Sequence, residues 1–148
     1  RDLILQLSKS SIIQQSPPGD VFGVLSLLVI DDNEMACSSL SSLLTNAGYI
    51  VEATTSPERA LEKLLRKPYD VVLSDLQMPG MTGDELYATV SSSQNPNRST
   101  PFIFISAYSD AHSIGQAPLL TKPVRLKDIN LKIHEVMSNQ GVVSEFGK

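Results

Sequence analysis

The sequence has little of what marks several common classes of protein. It carries 12 Lys and Arg against 16 Asp and Glu, for a formal net charge of −4, which argues against a nucleic-acid grip built on a basic surface. The single cysteine, Cys37, cannot form an internal disulfide and fits a reducing compartment. The longest apolar stretch, residues 21–30, is too short to span a membrane, and the first residues lack the layout of a signal peptide. We therefore expect a cytoplasmic segment without direct nucleic-acid or membrane contact.

What is present is ordinary for a globular protein. Hydrophobic residues make up 41% of the 148 residues and charged residues 19%. This length predicts one domain that buries roughly two-thirds of the surface its unfolded chain exposes. Residues 1–24 are interpreted as a linker or N-terminal extension, residues 25–138 as the domain, and residues 139–148 as a loose tail. The missing initiator Met suggests a segment of a longer parent chain, which could itself be bound to a membrane.

Apolar strand patterns alternate with amphipathic helix patterns along the domain. This alternation predicts parallel strands joined by right-handed crossovers, with helices on both faces of the sheet. Five strands in this length favour an α/β, doubly wound, flavodoxin-like sheet of order 2-1-3-4-5. The predicted strands are 25–30, 49–53, 70–74, 102–105 and 118–120, and the predicted helices are 34–47, one beginning at 57, 83–92 and 126–137.

Ser56 is the expected N-cap of the second helix. Met35 and Leu43 of the first helix and Leu65 of the second are expected to face the core. Residues 91–100, which include Asn97, are interpreted as a polar loop.

The connection between the fourth and fifth predicted strands is too short to contain a full helix. Only ten residues, AYSDAHSIGQ, lie between Ser106 and Ala117. A typical helix takes roughly 11–12 residues and each flanking loop about 2–6 more. Gly115 and the scarcity of apolar residues in this segment argue further against a helix. The sequence therefore predicts a shortened or missing fourth helix, as a single turn or a plain loop.

Polar side chains follow four of the predicted strands. Asp31 and Asp32 follow the first strand, Asp75 the third, Ser106 the fourth and Lys122 the fifth. In the order 2-1-3-4-5 these four strands are neighbours, and ligands of such sheets bind at the carboxyl ends of the strands. We therefore expect three carboxylates, a hydroxyl and an ammonium group to converge on one rim.

This set of groups suits the transfer of a phosphoryl group. Three close carboxylates would raise one another's pKa values unless a cation compensates. Oxygen ligands without a His or Cys cluster indicate Mg²⁺, which keeps several waters and shares its coordination with phosphate. An ammonium and a hydroxyl can bind phosphoryl oxygens, and an aspartate can act as the nucleophile that forms an aspartyl phosphate.

The pattern resembles the response-regulator receiver domain, the phosphoacceptor module of two-component signalling. The matching pieces are LLVIDDN at 27–33, VVLSDLQMPGMTGDEL at 71–86, FISA at 104–107 and TKPV at 121–124, with the acid followed by MPGMTG as the most specific of them. The resemblance covers about residues 25–138.

The resemblance implies a role for each acidic residue of the rim. Asp75 would be the phosphoacceptor, attacking the phosphorus of a phosphohistidine on a partner. Asp32 and Asp75 would ligate Mg²⁺ directly, together with the backbone carbonyl of Gln77. Asp31 would act through a metal-bound water.

The resemblance also implies roles for the other polar residues. Ser106 would hydrogen-bond the phosphoryl group and move toward it, and Lys122 would pair with it. The aromatic residue that usually lies three positions before the lysine is here Leu119. The usual coupling of hydroxyl movement to aromatic rotation therefore lacks its aromatic partner, although the chemical residues are intact.

The wider setting follows from the same resemblance. The polar linker and the missing start suggest the receiver module of a hybrid histidine kinase, although a lone receiver or one from another regulator stays open. The expected partner is a histidine kinase or a histidine phosphotransfer protein. The isolated domain would promote its own phosphorylation without being an enzyme, whereas the parent chain could be a histidine kinase.

Other interpretations stay open at this point. The receiver fold could serve as a non-phosphorylated docking or dimerisation module. A Mg²⁺-dependent phosphatase with an aspartate nucleophile is a third possibility, but such enzymes usually place their two acids two residues apart, whereas Asp31 and Asp32 are adjacent. Asp31 and Asp32 could also be no more than an N-cap for the first helix.

One prediction comes from the residue two positions after Ser106. A bulky Tyr108 would shield the phosphoryl group from water, so Tyr108→Ala should shorten the lifetime of the phosphorylated domain. Loss of the label from purified phosphorylated protein measures this lifetime. An unchanged rate of dephosphorylation would remove the hypothesis.

Overall fold

The fold is a sheet flanked by helices on both faces. A computed structural model describes residues 23–107 and 113–146. The strands are β1 (Ser26–Ile30), β2 (Ile50–Thr54), β3 (Val71–Asp75), β4 (Phe102–Ser106), β5 (Ser113–Ile114) and β6 (Ala117–Thr121). The helices in the described part are α1 (Glu34–Asn46), α2 (Pro57–Arg66), α3 (Gly83–Ser91) and α4 (Leu126–Phe146). None of these helices is both long and apolar enough to cross a membrane.

The sheet has the predicted topology with one addition. Its order is β2-β1-β3-β4-β6-β5, and the five longer strands pair in parallel. These five correspond to the predicted order 2-1-3-4-5, which is confirmed. The two residues of β5 add an antiparallel edge pair with β6, which was not predicted because two residues are too short to give an alternating pattern.

The sequence predicts a shortened or missing helix between β4 and β6, and the described residues agree with this prediction. In the described residues of this connection there is a turn at Gly115 and the short strand β5, but no helix. Residues 108–112, which include Tyr108, lie outside the described residues, as do the predicted linker up to residue 22 and the last two residues of the predicted tail.

Side-chain caps fix where three of the helices begin. The Asn33 side chain accepts a hydrogen bond from the N–H of Ala36 at 2.8 Å, so Asn33, and not Asp32, caps α1. Ser56 caps α2 as predicted. Thr82 caps α3 and forms a reciprocal capping box with Glu85. Because its cap is Asn33, α1 leaves the two preceding aspartates available for other contacts.

The core lies on both faces of the sheet. One cluster contains the buried rings of Phe102 and Phe104 under α2 and α3. The second contains Ile103 and Ile105 of the same strand with Ile133 of α4. Since successive side chains of a strand point to opposite faces, β4 contributes to both clusters and is covered on both sides.

Parts of the predicted helix faces and ends are wrong. Met35 is 76% exposed, Leu43 is 38% exposed and Leu65 is 47% exposed, although all three were expected to face the core. The buried positions of α1 are instead Cys37 and Leu44. The sulfur of Cys37 donates to the carbonyl of Thr54 at 3.6 Å, so a small residue allows close approach of α1 to β2. The closing helix also continues to Phe146, through most of the predicted tail.

A close approach at Gly83 joins α3 to the end of β3. A Cβ added there would lie 2.3 Å from the backbone oxygen of Asp75 and 3.1 Å from Cε1 of Phe104. The N–H of Gly83 donates to the carbonyl of Leu76 at 2.8 Å. The first residue of α3 is therefore seated directly against the strand end that carries Asp75, and a larger residue has no room there.

We predict that Gly83→Ala destabilises the domain by about 1–3 kcal/mol, the usual cost of forcing extra atoms into a packed site. This loss is expected in spite of the roughly 1 kcal/mol by which Ala favours helices over Gly. Urea unfolding measures it. Thr89→Ala, at an exposed position of the same helix, is the matched control and should stay within about 0.5 kcal/mol of wild type. A Gly83→Ala domain as stable as wild type would contradict the described packing.

Candidate functional site

The ends of four strands bring the predicted polar residues to one rim of the sheet. Asp31 follows β1, and Asp75 ends β3 next to Ile105 of β4. Ser106 ends β4 opposite Thr121, the residue before Lys122. The strands end level with one another, and the residues that follow each end are therefore neighbours in space. The predicted convergence is confirmed for the described residues.

The three aspartates lie close enough to share a cation. One carboxylate oxygen from each of Asp31, Asp32 and Asp75 lies within 4.8 Å of the others. Asp31 is buried, Asp75 is half-buried and Asp32 is exposed, so the group opens to solvent on the side of Asp32. An all-oxygen donor set with access to water fits a hard divalent cation such as Mg²⁺.

The ammonium group of Lys122 lies between two of these acids. Its Nζ is 3.1 Å from Oδ2 of Asp31 and 3.6 Å from Oδ2 of Asp75. Its backbone N–H donates to the carbonyl of Ser106 at 2.8 Å, and the Lys122–Pro123 peptide bond is cis. Lys122 is therefore anchored to β4 through its backbone and to β1 and β3 through its side chain.

Asp31 is held on both of its carboxylate oxygens. Oδ2 accepts from Lys122, and Oδ1 accepts from the N–H of Asn33 at 3.0 Å. The N–H of Asp31 itself donates to the carbonyl of Thr54 at 3.3 Å. Sequence reasoning missed Asn33, which both caps α1 and orients Asp31. The position of Asn33 just before the first helix was the signal that could have revealed this, since Asn is a favoured N-cap residue.

Burial and charge act on the acceptor candidate in opposite directions. Burial raises the pKa of Asp75, and the negative charge of Asp31 raises it further. Lys122 and the backbone N–H groups of Gln77 and Leu76 oppose this rise without cancelling it. The Asp75 carboxylate therefore carries an uncompensated cost of ionisation, which an added cation at the three acids would relieve.

The lysine shows the complementary effect. Burial by itself would lower the pKa of Lys122, but the hydrogen bond that Lys122 donates to Asp31 and the charges of Asp75 and Asp31 outweigh it, and the pKa is raised. The side chain is 32% exposed and stays charged. A persistent cation next to the Asp75 carboxylate suits the binding of a phosphoryl oxygen.

Ser106 and Gln77 complete the set. Ser106 is 1% exposed and lies at the end of β4, beside the strand that leads to Lys122. Gln77 is exposed in the loop after β3, two residues beyond Asp75. The structure thus brings together Asp31, Asp32, Asp75, Ser106 and Lys122, with Gln77 on the adjoining loop.

Comparison with known proteins gives the family. The family model described as the response regulator receiver domain matches residues 27–134, which is most of the chain. The chain belongs to the response regulator receiver domain family. The fold and the arrangement of acids at the strand ends agree with this assignment.

Similar proteins include regulators and isolated receivers. Transcriptional regulatory protein ZraR of Klebsiella oxytoca is 32% identical over 119 residues, covering 76% of this chain and 26% of ZraR. The chemotaxis protein CheY4 of Vibrio cholerae is 27% identical with a TM-score of 0.70, covering 77% of this chain and 99% of that one. The chain thus spans about a quarter of the length of ZraR.

A third similar structure contains a metal ion. The receiver domain of sensor histidine kinase PA1611 from Pseudomonas aeruginosa has a magnesium ion coordinated in its active-site cleft. It is 20% identical to this chain with a TM-score of 0.69, covering 76% of this chain and 97% of that one. At this identity the likeness concerns the fold.

The raised pKa of Asp75 predicts a pH-dependent cost to stability. A carboxyl whose pKa is higher in the folded chain than in the unfolded chain loses stability as pH rises through that range. In the absence of divalent cations, Asp75→Asn should therefore be more stable than wild type at neutral pH, and the difference should vanish in acid, where Asp75 is protonated. Urea midpoints across pH measure this.

Asp84→Asn is the matched control, because Asp84 is an exposed acid outside the cluster. Its stability relative to wild type should change little over the same range. If Asp75→Asn is no more stable than wild type at neutral pH, the described cost of ionising the half-buried Asp75 carboxyl is wrong.

Proposed function

We propose that this chain is a phosphoacceptor domain that takes a phosphoryl group from a phosphohistidine onto Asp75, in a Mg²⁺-dependent two-component phosphorelay. The observation that carries this proposal is the convergence of Asp75 with two other acids and with the Lys122 ammonium group, 3.6 Å away. A half-buried carboxylate beside a fixed cation supplies the nucleophile and part of the positive charge that aspartyl phosphate formation needs.

The reaction transfers one phosphoryl group from an imidazole nitrogen of the donor to a carboxylate oxygen of Asp75. A carboxylate oxygen of Asp75 attacks the phosphorus of the phosphohistidine, the P–O bond to Asp75 forms, and the P–N bond to the imidazole breaks. The electron pair of that bond leaves with the imidazole nitrogen of the donor. No oxidant or further substrate is required, so the work of the domain is positioning and charge neutralisation.

The acids would hold the metal ion. Asp32, Asp75 and the backbone carbonyl of Gln77 are proposed as direct ligands, and Asp31 as a ligand through water. When bound, Mg²⁺ supplies positive charge that neutralises the acids and the phosphoryl oxygens. Asp31 has a second function here, since it fixes the Lys122 ammonium group at 3.1 Å.

Lys122 and Ser106 would bind the phosphoryl group after transfer. Lys122 would exchange its contact with the Asp75 carboxylate for one with a phosphoryl oxygen. Ser106 would donate its hydroxyl to another phosphoryl oxygen from the end of β4. Both residues are already connected, because the Lys122 N–H donates to the Ser106 carbonyl.

The proposed partner is a histidine kinase or a histidine phosphotransfer protein. An apolar groove adjoins Asp31 and Lys122, and its walls include Leu40 and Leu43 of α1 and Val124 after β6. This groove would contact the protein that carries the phosphohistidine. A hybrid histidine kinase as the parent chain and a cytoplasmic location belong to the same proposal, in which the isolated domain acts as phosphoacceptor rather than as an enzyme.

The same groove supports a second candidate function, a receiver fold that docks proteins without being phosphorylated. Met35, 76% exposed, and Leu43, 38% exposed, extend apolar surface along α1. The intact acids and Lys122 favour the phosphoacceptor, because a docking surface needs no cluster of crowded charges.

We predict that the domain, incubated with Mg²⁺ and acetyl phosphate, gains one phosphoryl group by intact mass spectrometry. Asp75→Asn should abolish the gain, because the nucleophile is removed. Asp84→Asn, the exposed matched control, should keep it. Chelation of the metal by EDTA should strongly reduce it.

The remaining outcomes distinguish the candidates. A phosphoryl gain that survives in Asp75→Asn would overturn the acceptor assignment. The absence of any gain in wild type, with beryllofluoride also failing to bind, would favour the docking module. Multiple turnover of a phosphate ester would identify a phosphatase instead.

A further inference from the structure

A cluster of aromatic side chains connects α3 with β4 and with the turn between β5 and β6. The Tyr87 ring, on α3, packs 5.0 Å from the Phe102 ring and 5.9 Å from the Phe104 ring, the latter edge-on at 82°. On its other side Tyr87 meets the turn between β5 and β6. A Cβ added at Gly115 would lie 3.3 Å from Cε2 of Tyr87 and 3.9 Å from its hydroxyl oxygen.

The same helix touches the acceptor. Gly83 and Tyr87 are four residues apart on α3 and so share one face. Gly83 is seated against the Asp75 carbonyl and near Phe104, which is also a neighbour of Tyr87. A shift of the loop after Asp75 would therefore move α3 and press or release Tyr87 against Gly115.

On β6, the strand next to β4, the residue beside Phe104 is the aliphatic Leu119. Leu119 pairs in register with Phe104 and is 9% exposed. Its side chain has no ring to rotate and joins the same core cluster as the phenylalanines. The aromatic residue that contacts the β5–β6 turn comes from α3 instead.

We propose that Tyr87 carries the state of the acceptor site to the β5–β6 hairpin (residues 113–121), by changing its contact with Gly115 when Asp75 is phosphorylated. This inference rests on the proposed function, since it requires phosphorylation of Asp75. Packed cores respond to small shifts by changing between discrete arrangements, and a two-state element that both sites bias is what the coupling requires.

The first test observes Tyr87 in the wild-type chain. The chain has four tyrosines, so 3-fluorotyrosine labelling gives four fluorine signals, and the one missing from Tyr87→Phe belongs to Tyr87. Addition of Mg²⁺ and beryllofluoride should shift the Tyr87 signal. The Tyr49 signal is the internal control and should stay in place, because Tyr49 belongs to the other core cluster and its hydroxyl donates to Asn130.

The second test removes the ring. In amide NMR spectra, the Gly115 signal should move on phosphorylation in wild type and in Tyr87→Phe, and the movement should be lost in Tyr87→Leu. Intact mass should show equal phosphorylation of all three proteins. A role of Tyr87 in packing alone would lower the urea midpoint of Tyr87→Leu without abolishing the Gly115 response.

The outcomes separate this inference from the proposed function. If Asp75 is phosphorylated but the Tyr87 signal stays in place, or Gly115 still responds in Tyr87→Leu, the inference is overturned and the function stands. If Asp75 is not phosphorylated in wild type, the proposed function fails and the inference fails with it.

Discussion

The structure depends on how one lysine is held among crowded acids. Lys122 Nζ lies 3.1 Å from Asp31 and 3.6 Å from Asp75, so a single ammonium group links the ends of β1, β3 and β6. One cation stands against three carboxylates at this rim. Burial is the main reason why the pKa of Asp75 is raised, and the negative charge of Asp31 adds to it. The three acids at this rim could hold a divalent cation, which would offset their negative charge.

The rest of the fold serves to hold this rim in register. Parallel pairing sets the strand ends level, and β4 is buried on both faces, so Ser106 and its neighbours have little freedom. Gly83 lies close against the Asp75 carbonyl, so the first residue of α3 is packed on the end of β3. The geometry at Asp75 and the position of α3 therefore depend on each other.

Most of the fold and site could be predicted because the signals are local. Continuous apolar runs mark buried parallel strands, and the residue after each run falls at the carboxyl edge. The predictions that were wrong concern features that depend on tertiary contacts. Whether Cys37 or Met35 faces the core depends on the rotation of α1 against β2, which periodicity alone does not set. Asn97 was interpreted as a plain loop residue, yet it is buried and donates to the carbonyls of Leu64 and Lys67 across the fold.

The proposed function depends on Asp75 as the residue that takes the phosphoryl group. The most direct measurement phosphorylates the wild-type domain with acetyl phosphate and Mg²⁺, reduces the acyl phosphate with borohydride, and locates the modified residue by peptide mass spectrometry. Reduction converts a phosphorylated aspartate to homoserine, and we expect homoserine at position 75 alone. Homoserine at Asp31, Asp32 or Asp84, with Asp75 intact, would contradict it.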